Sequence, residues 1–231
     1  MKKYLLWMLT GILGLGVISC EDDNDSYSLD KYWIDFGIVI DQGNDRMDYT
    51  IKVDDGDILY PVNSNASLSD LEDGDRVLVN YTVLSHKNSL DGYDEYYVEI
   101  NSWRGILMKG ILDITPANED SIGNDPVNVE NVWVSNNLLN FKLSYWGFDQ
   151  THFINLVKQP GELTEAGQPF QLELRHNNNN DQEEVLYTAY VSFDLSALKL
   201  PSVDSVQFTV NGIQYGNEDF TYDGVFNYSG N

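Results

Sequence analysis

Apolar and polar residues alternate with period 2 along several stretches of the chain. In 75–85, Val77, Val79, Tyr81 and Val83 share one face, and Leu78, Asn80, Thr82 and Leu84 share the other. The same pattern recurs with Leu139, Phe141, Leu143 and Tyr145, then with Phe170, Leu172 and Leu174, and then with Val206, Phe208 and Val210. Each is the signature of a half-buried antiparallel strand. Tyr187–Phe193 is apolar on both faces, as a central strand is. Turn dipeptides separate the runs: Asp55-Gly56, Asp73-Gly74, Asp91-Gly92, Pro160-Gly161, Asn211-Gly212 and Asp223-Gly224. No long stretch carries a helical stripe, and the expectation is an all-β protein.

The pattern lapses over Thr115–Val127, where two prolines, a glycine and polar residues replace any apolar period. This divides the chain into a first β unit, 31–115, a linker, 116–127, and a second β unit, 128–231. Strands are expected at 32–40, 48–53, 75–85, 94–100 and 103–113, which suits a small closed OB-like barrel without free edges. The second unit offers six or seven strands, as a sandwich does. A single ten-strand sandwich is the alternative.

The amino terminus follows another pattern. Lys2 and Lys3 precede an almost wholly apolar run from Tyr4 to Val17, too short and too interrupted by glycine for a stable span. The run ends Val17-Ile18-Ser19-Cys20, which resembles a bacterial lipobox: an aliphatic residue three before the cysteine and a small one directly before it. Residues 1–19 are therefore read as a lipoprotein signal peptide, and Cys20 as the lipid-modified first residue of the mature protein. The competing reading is a signal-anchor helix with an incidental cysteine. Cys20 is the one cysteine of the chain, so no disulfide can form within it. Several acyl chains on one residue hold a membrane firmly, at about 0.8 kcal/mol per buried CH2. Residues 20–30 form an acidic tether, and its Glu21, Asp22, Asp23 and Asp25 resemble the outward export signal of Bacteroidales-type lipoproteins. The expected location is the outer membrane, lipid-anchored and facing the cell exterior.

Charge narrows the partners. Removing 1–19 takes away two lysines and no acid, so the formal charge moves from −24 to −26. A field of that sign repels phosphate backbones, which excludes nucleic acid.

Candidate chemistry is sparse. His86, His152 and His176 lie far apart and on no metal-ligand spacing. No Gly-rich phosphate loop, G-x-S-x-G or H-E-x-x-H occurs. No catalytic residue, metal or cofactor is expected, and the protein is read as a non-enzyme. Asp54-Asp55-Gly56-Asp57 and Asp70–Asp75 are acidic enough to attract calcium, but neither fits the EF-hand pattern. Aromatics are more suggestive: Tyr93, Tyr96, Tyr97 and Trp103, with Tyr145, Trp146 and Phe148, offer a platform for stacking on sugars or peptides. Trp103 and Trp146 are the ligand-binding candidates. Asn177–Asn180 reads as an exposed hairpin loop. Asp120-Ser121-Ile122 resembles a D-S/T-hydrophobic O-glycosylation site, making Ser121 a candidate for modification; Asp204-Ser205-Val206 also fits.

Two segments resemble a known family. Leu71-Glu72-Asp73-Gly74-Asp75-Arg76-Val77-Leu78-Val79-Asn80-Tyr81-Thr82-Val83-Leu84 is similar to the "DGxRVLVNYT" strand of NigD-like lipoproteins. Tyr190-Val191-Ser192-Phe193-Asp194-Leu195-Ser196-Ala197-Leu198 is similar to the "SFDLS" segment of their second domain. The resemblance implies an N-terminal OB-like barrel followed by a C-terminal immunoglobulin-like β-sandwich. It also implies an envelope protein with a supposed role in bacteriocin production or immunity. It supplies no catalytic residues. The leading reading is a module that binds another envelope protein. The alternative is a glycan-binding surface lipoprotein serving polysaccharide uptake.

Overall fold

A computed structural model describes residues 29, 31–41, 49–90 and 92–228. Cys20, the acidic residues that follow it, the signal peptide and the tether lie outside the described residues, apart from Leu29.

Five strands form a closed barrel: β1 (Trp33–Asp41), β2 (Tyr49–Val53), β3 (Ile58–Ser64), β4 (Arg76–Leu90) and β5 (Tyr93–Gly105), in the order β1-β2-β3-β5-β4. The alternation read in the sequence sets its interior. Val77, Val79, Tyr81 and Val83 of β4 are buried and meet Val39, Ile51, Val53, Leu59, Val98 and Ile100. β3 was not among the expected strands, because Pro61 interrupts it. The proline sits at a register shift between Pro61 and Asn63, a place where sheets tolerate a residue without an N–H.

The expected strand 103–113 is divided. β5 ends at Gly105, and Ile106 is buried with its N–H donating to the Arg76 carbonyl at 2.7 Å. β6 (Leu107–Gly110) then pairs in parallel with β12 (Val185–Asp194), and β7 (Leu112–Asp113) pairs in parallel with β10 (Phe153–Lys158). The chain thus enters the second unit at Ile106 and gives a strand to each of its sheets. The stretch 116–127 is not a free linker. It holds a short helix, α1 (Glu119–Ile122), buries Ile122 and Val127, and bonds through the Asp125 N–H to the His176 carbonyl and through the Val127 N–H to the Ile213 carbonyl. Prolines and amides hide this packing from any periodicity.

The remaining strands are β8 (Asn128–Ser135), β9 (Leu138–Gly147), β10 (Phe153–Lys158), β11 (Phe170–Asn177), β12 (Val185–Asp194), β13 (Ser205–Gln214) and β14 (Glu218–Asn227). They complete two sheets, β14-β13-β11-β10-β7 and β6-β12-β9-β8. Between them lies a core in which Phe141, Leu143, Leu156, Leu172, Phe193, Phe208, Val210 and Phe226 are at most 1% exposed. The chain is a closed barrel followed by a sandwich, and the single-sandwich alternative is excluded.

Barrel and sandwich meet through a buried polar knot. The Arg76 guanidinium donates to both Asp54 carboxylate oxygens at 2.6 and 2.7 Å, and crosses the junction to Asn140 Oδ1 at 3.0 Å and Ser192 Oγ at 3.4 Å. Trp133 Nε1 reaches back to Asp54 at 3.1 Å. Phe36 packs between Trp133 and Tyr190 and under the guanidinium. Arg76 and Ser192 belong to the two family-like segments, so these segments are strand sequences that touch each other across the domain junction.

Candidate functional site

The far end of the sandwich gathers the features that a binding surface needs. β9 and β12 pair antiparallel with Tyr145 opposite Tyr187, Trp146 opposite Leu186, and Gly147 opposite Val185. Trp146, Phe148, Phe153, Val185, Leu186 and Tyr187 are each between 39% and 52% exposed. Alternation along β9 and β12 puts Trp146 and Leu186 on one face of the sheet and Val185 and Tyr187 on the other, so this end carries exposed apolar side chains on both faces, as a contact surface does.

Beneath this surface lies a network that the sequence spacing concealed. The β10–β11 register places Ile154 opposite His176, which brings His152, two residues upstream, beside it. His152 Nδ1 and His176 Nε2 are 2.8 Å apart. His176 Nδ1 donates to the Pro126 carbonyl at 2.9 Å, and His152 Nε2 lies 3.2 Å from Asp181 Oδ2. The two rings form a continuous line from the Pro126 carbonyl to the Asp181 carboxylate. Burial lowers the His176 pKa, and the neighbouring His152 lowers it further, against the raising effects of the Pro126 carbonyl and Asp125.

Asp181 anchors the surrounding loops. Burial alone would raise its pKa, but N–H groups from Phe148, Asp149 and Gln182, together with His152, hold it well below the usual carboxylate range. Tyr145 stacks on His152 at 4.6 Å and packs near Tyr187, and the Tyr187 hydroxyl donates to the Phe148 carbonyl at 3.2 Å. The aromatic end is thus positioned from below by the network. A Cβ at Gly147 would stand 3.0 Å from both Asp181 Oδ2 and His152 Nε2, so a larger residue there would push on the network. The Asn177–Asn180 run turns at the surface, but it crosses from β11 in one sheet to β12 in the other and is not the expected hairpin loop. Asn179 and Asn180 both adopt positive φ, and the Asn177 and Asn178 side chains accept from the N–H groups two residues on.

All four imidazole nitrogens are engaged within the protein, which leaves none to act as a base toward an outside molecule. Among the described residues, no group of three or more His, Cys, Asp or Glu side chains is arranged to hold a metal. The acidic turns instead tie the backbone. Asp54 pairs with Arg76, Asp57 accepts from the Asp94 N–H, Asp73 from the Asp41 N–H, and Asp75 from the Glu72 N–H.

The sequence-derived aromatic platform is divided by the fold. Trp146 is exposed in the cluster above. Trp103 lies on the barrel, half-buried against its core, and its indole N–H donates to the Ser67 carbonyl at 2.7 Å. Tyr93 covers Gly56, whose added Cβ would meet the ring at 2.1 Å, and Tyr96 bonds Asp94. A shallow cleft of about 270 Å³ on the barrel is lined by Leu29, Lys31, Tyr32, Asn80, Thr82 and Asn101, but its amides are paired with each other and with Thr82. Ser121 is exposed on α1, with its hydroxyl donating to the Asn118 carbonyl; Ser205 is half-buried at the start of β13.

Comparison with known proteins places this architecture. Residues 38–106 match the model of the NigD-like N-terminal OB domain, and residues 110–223 match that of the NigD-like C-terminal beta sandwich domain. The interval between the two matches falls at the Ile106 crossover. A protein described as toxin-related, from Parabacteroides distasonis, has a TM-score of 0.72 at 30% identity, over 86% of this chain and 95% of its own. A NigD-like immunity protein from Bacteroides caccae has a TM-score of 0.57 at 17% identity, over 86% of this chain and 94% of its own. A protein described as a lipoprotein, from Bacteroides fragilis, has a TM-score of 0.57 at 15% identity, over 86% of this chain and 98% of its own. At such identities the last two carry the fold alone. None of the curated proteins matches the chain. With both units matched in order and joined where the structure joins them, the chain belongs to the NigD-like family, an OB-like barrel followed by a β-sandwich.

Proposed function

We propose that this protein is a non-enzymatic, lipid-anchored cell-envelope protein that binds another envelope protein through the open end of its sandwich. The observation that carries the reading is the exposed apolar cluster around Trp146 and Leu186, seated on a fully bonded polar network. The family and the structural neighbours give no sign of enzymatic activity, and the engaged imidazoles agree with a binding role.

Anchoring rests on the lipobox at Cys20, and the acidic residues Glu21, Asp22, Asp23 and Asp25 support export to the outer face of the outer membrane. No helix among the described residues is long and apolar enough to cross a membrane, and the Bacteroides fragilis neighbour is itself described as a lipoprotein. Ser121, exposed in its Asp-Ser-Ile setting, is the site we propose for O-glycosylation. Because one neighbour is described as an immunity protein, protection against a bacteriocin is the specific role to test first. Glycan binding, the second reading, rests on Trp146 alone, since the indole of Trp103 is already bonded.

Pull-down from detergent-solubilised envelopes, with the Cys20-anchored protein as bait, tests the main reading. It should recover a specific envelope protein, and Trp146→Ala should reduce the yield. If calorimetry instead finds an oligosaccharide ligand lost in Trp146→Ala, the glycan reading replaces it.

A further inference from the structure

A sheet edge in a monomeric protein is normally guarded against strand addition by charge, proline, a bulge, shortness or a cover. The edges of this sandwich follow that rule with one exception. β14 carries Glu218, Asp219 and Asp223, and β8 carries Glu130 and a bulge between Val129 and Asn131. β7 is two residues long. Beyond it, the edge of β10 is covered by Lys109, whose ammonium group bonds the Ile154 carbonyl and the Asn155 side chain. β6 is short and carries that lysine.

The exception is the first half of β12. Its β9 side is paired from Val185 to Asp194, but on the other side β6 pairs only with Val191–Asp194. Val185–Tyr190 therefore has no strand partner on that side among the described residues. Its sequence, Val-Leu-Tyr-Thr-Ala-Tyr, has no charge, proline or bulge, and Val185–Thr188 are all exposed. The segment also borders the apolar cluster, since Leu186 stands opposite Trp146.

We propose that Val185–Tyr190 is a strand-addition site that takes an extended segment of a partner protein as a further strand of the β6-β12-β9-β8 sheet. A row of unpaired backbone donors and acceptors recognises a polypeptide, because neither a lipid nor a sugar repeats that pattern. Apolar side chains at alternate positions of the incoming strand would share one face and cover Leu186, while the residues between them would lie beside Tyr187 on the other. Glu183 and Glu184, exposed directly before β12, call for lysine or arginine at the adjoining end, as does the overall charge of −24. The inference deepens the envelope-protein reading and rests on it for the existence of a partner.

The test uses the full chain in detergent and a fluorescent peptide, Lys-Val-Thr-Val-Thr-Val-Thr-Lys. Binding is followed by anisotropy, and the bound region by hydrogen–deuterium exchange. The peptide should bind and slow exchange in Val185–Tyr190. A peptide N-methylated at alternate residues, which lacks one row of N–H donors, should bind about tenfold or more weakly. Leu186→Lys with Thr188→Lys, which adds the guard that natural edges carry, should abolish binding at an unchanged Tm.

Absence of binding, equal binding of the methylated peptide, or protection elsewhere overturns the proposal. So does a concentration-dependent dimer in sedimentation that the lysine variant dissolves, because the occupant is then a second copy. In envelope pull-downs, a partner held equally by wild type and the lysine variant also overturns the edge while the wider reading stands. If the peptide protects the edge as expected but no envelope protein is ever recovered, the envelope-protein reading fails and the edge stands.

Discussion

Replacing Arg76 with methionine probes the joint between the domains. Methionine keeps most of the apolar stem but strands what the guanidinium served. Two short charge-assisted bonds to Asp54 are lost, with one bond to Asn140 and a longer one to Ser192. Asn140 Oδ1 keeps the Ser192 hydroxyl at 2.7 Å, so the polar loss falls mainly on Asp54. A fully buried charge deprived of its partner costs about 3–5 kcal/mol. The Asp54 side chain is 20% exposed and retains the Trp133 N–H, which reduces the expected cost to about 2–4 kcal/mol. For a chain of this size that is a fall in Tm of about 5–15 °C. Urea unfolding should be followed by tryptophan fluorescence, since Trp133 sits in the joint. Arg76→Met with Asp54→Leu removes the stranded charge and should recover at least half of the loss. A single variant within about 0.5 kcal/mol of wild type, or a double variant no better than the single, would refute this account of the joint.

The histidine network makes stability depend on pH with a definite sign. His176 has a folded pKa lowered by burial, so its contribution is complete above the ordinary histidine value of about 6.5 and is lost as pH falls through the folded value. Urea midpoints should decline below that pH, and His176→Gln should flatten the decline. Asp181→Asn weakens the acceptor of three backbone N–H groups and of His152, and should speed exchange of the Phe148 and Asp149 amides while the barrel amides stay unchanged. Gly224→Ala places a Cβ 2.4 Å from the fully packed Phe208 ring and should cost about 1–3 kcal/mol by urea unfolding. For the amino terminus, labelling with an alkyne fatty acid should mark wild type and spare Cys20→Ala; equal labelling of both would sink the lipid anchor.

Strands were legible where one face alone is buried. Val77 to Val83 and Phe170 to Leu174 alternate because barrel and sandwich each cover a single side. Legibility failed where polar residues do structural work. Pro61 hid β3, and the prolines and amides of 116–127 hid a segment that buries Ile122 and Val127. Leu107–Asp113 looked like the end of a barrel strand because alternation does not reveal which sheet receives it. The site was harder still. Trp146 and Trp103 are alike as residue types, and only the fold separates an exposed indole from one bonded to the Ser67 carbonyl. The meeting of His152 and His176 depends on the β10–β11 register, which spacing in the chain does not disclose. Arg76 stood in plain view within a recognisable strand, yet its partners Asn140 and Ser192 lie in the other domain.

The crossover at Ile106 has a mechanical meaning. A protein held by one end on a membrane usually explores a wide cone if its domains are joined by slack chain. Here the segment leaving the barrel is woven at once into both sheets, and Arg76 closes the joint from the side. Barrel and sandwich then turn as a single strut. The open β12 edge keeps a fixed bearing relative to Trp33, where the barrel begins. A protease would find no slack there to cut, and a fragment begun at residue 116 would lack β6 and β7, one strand from each sheet, instead of holding an intact sandwich.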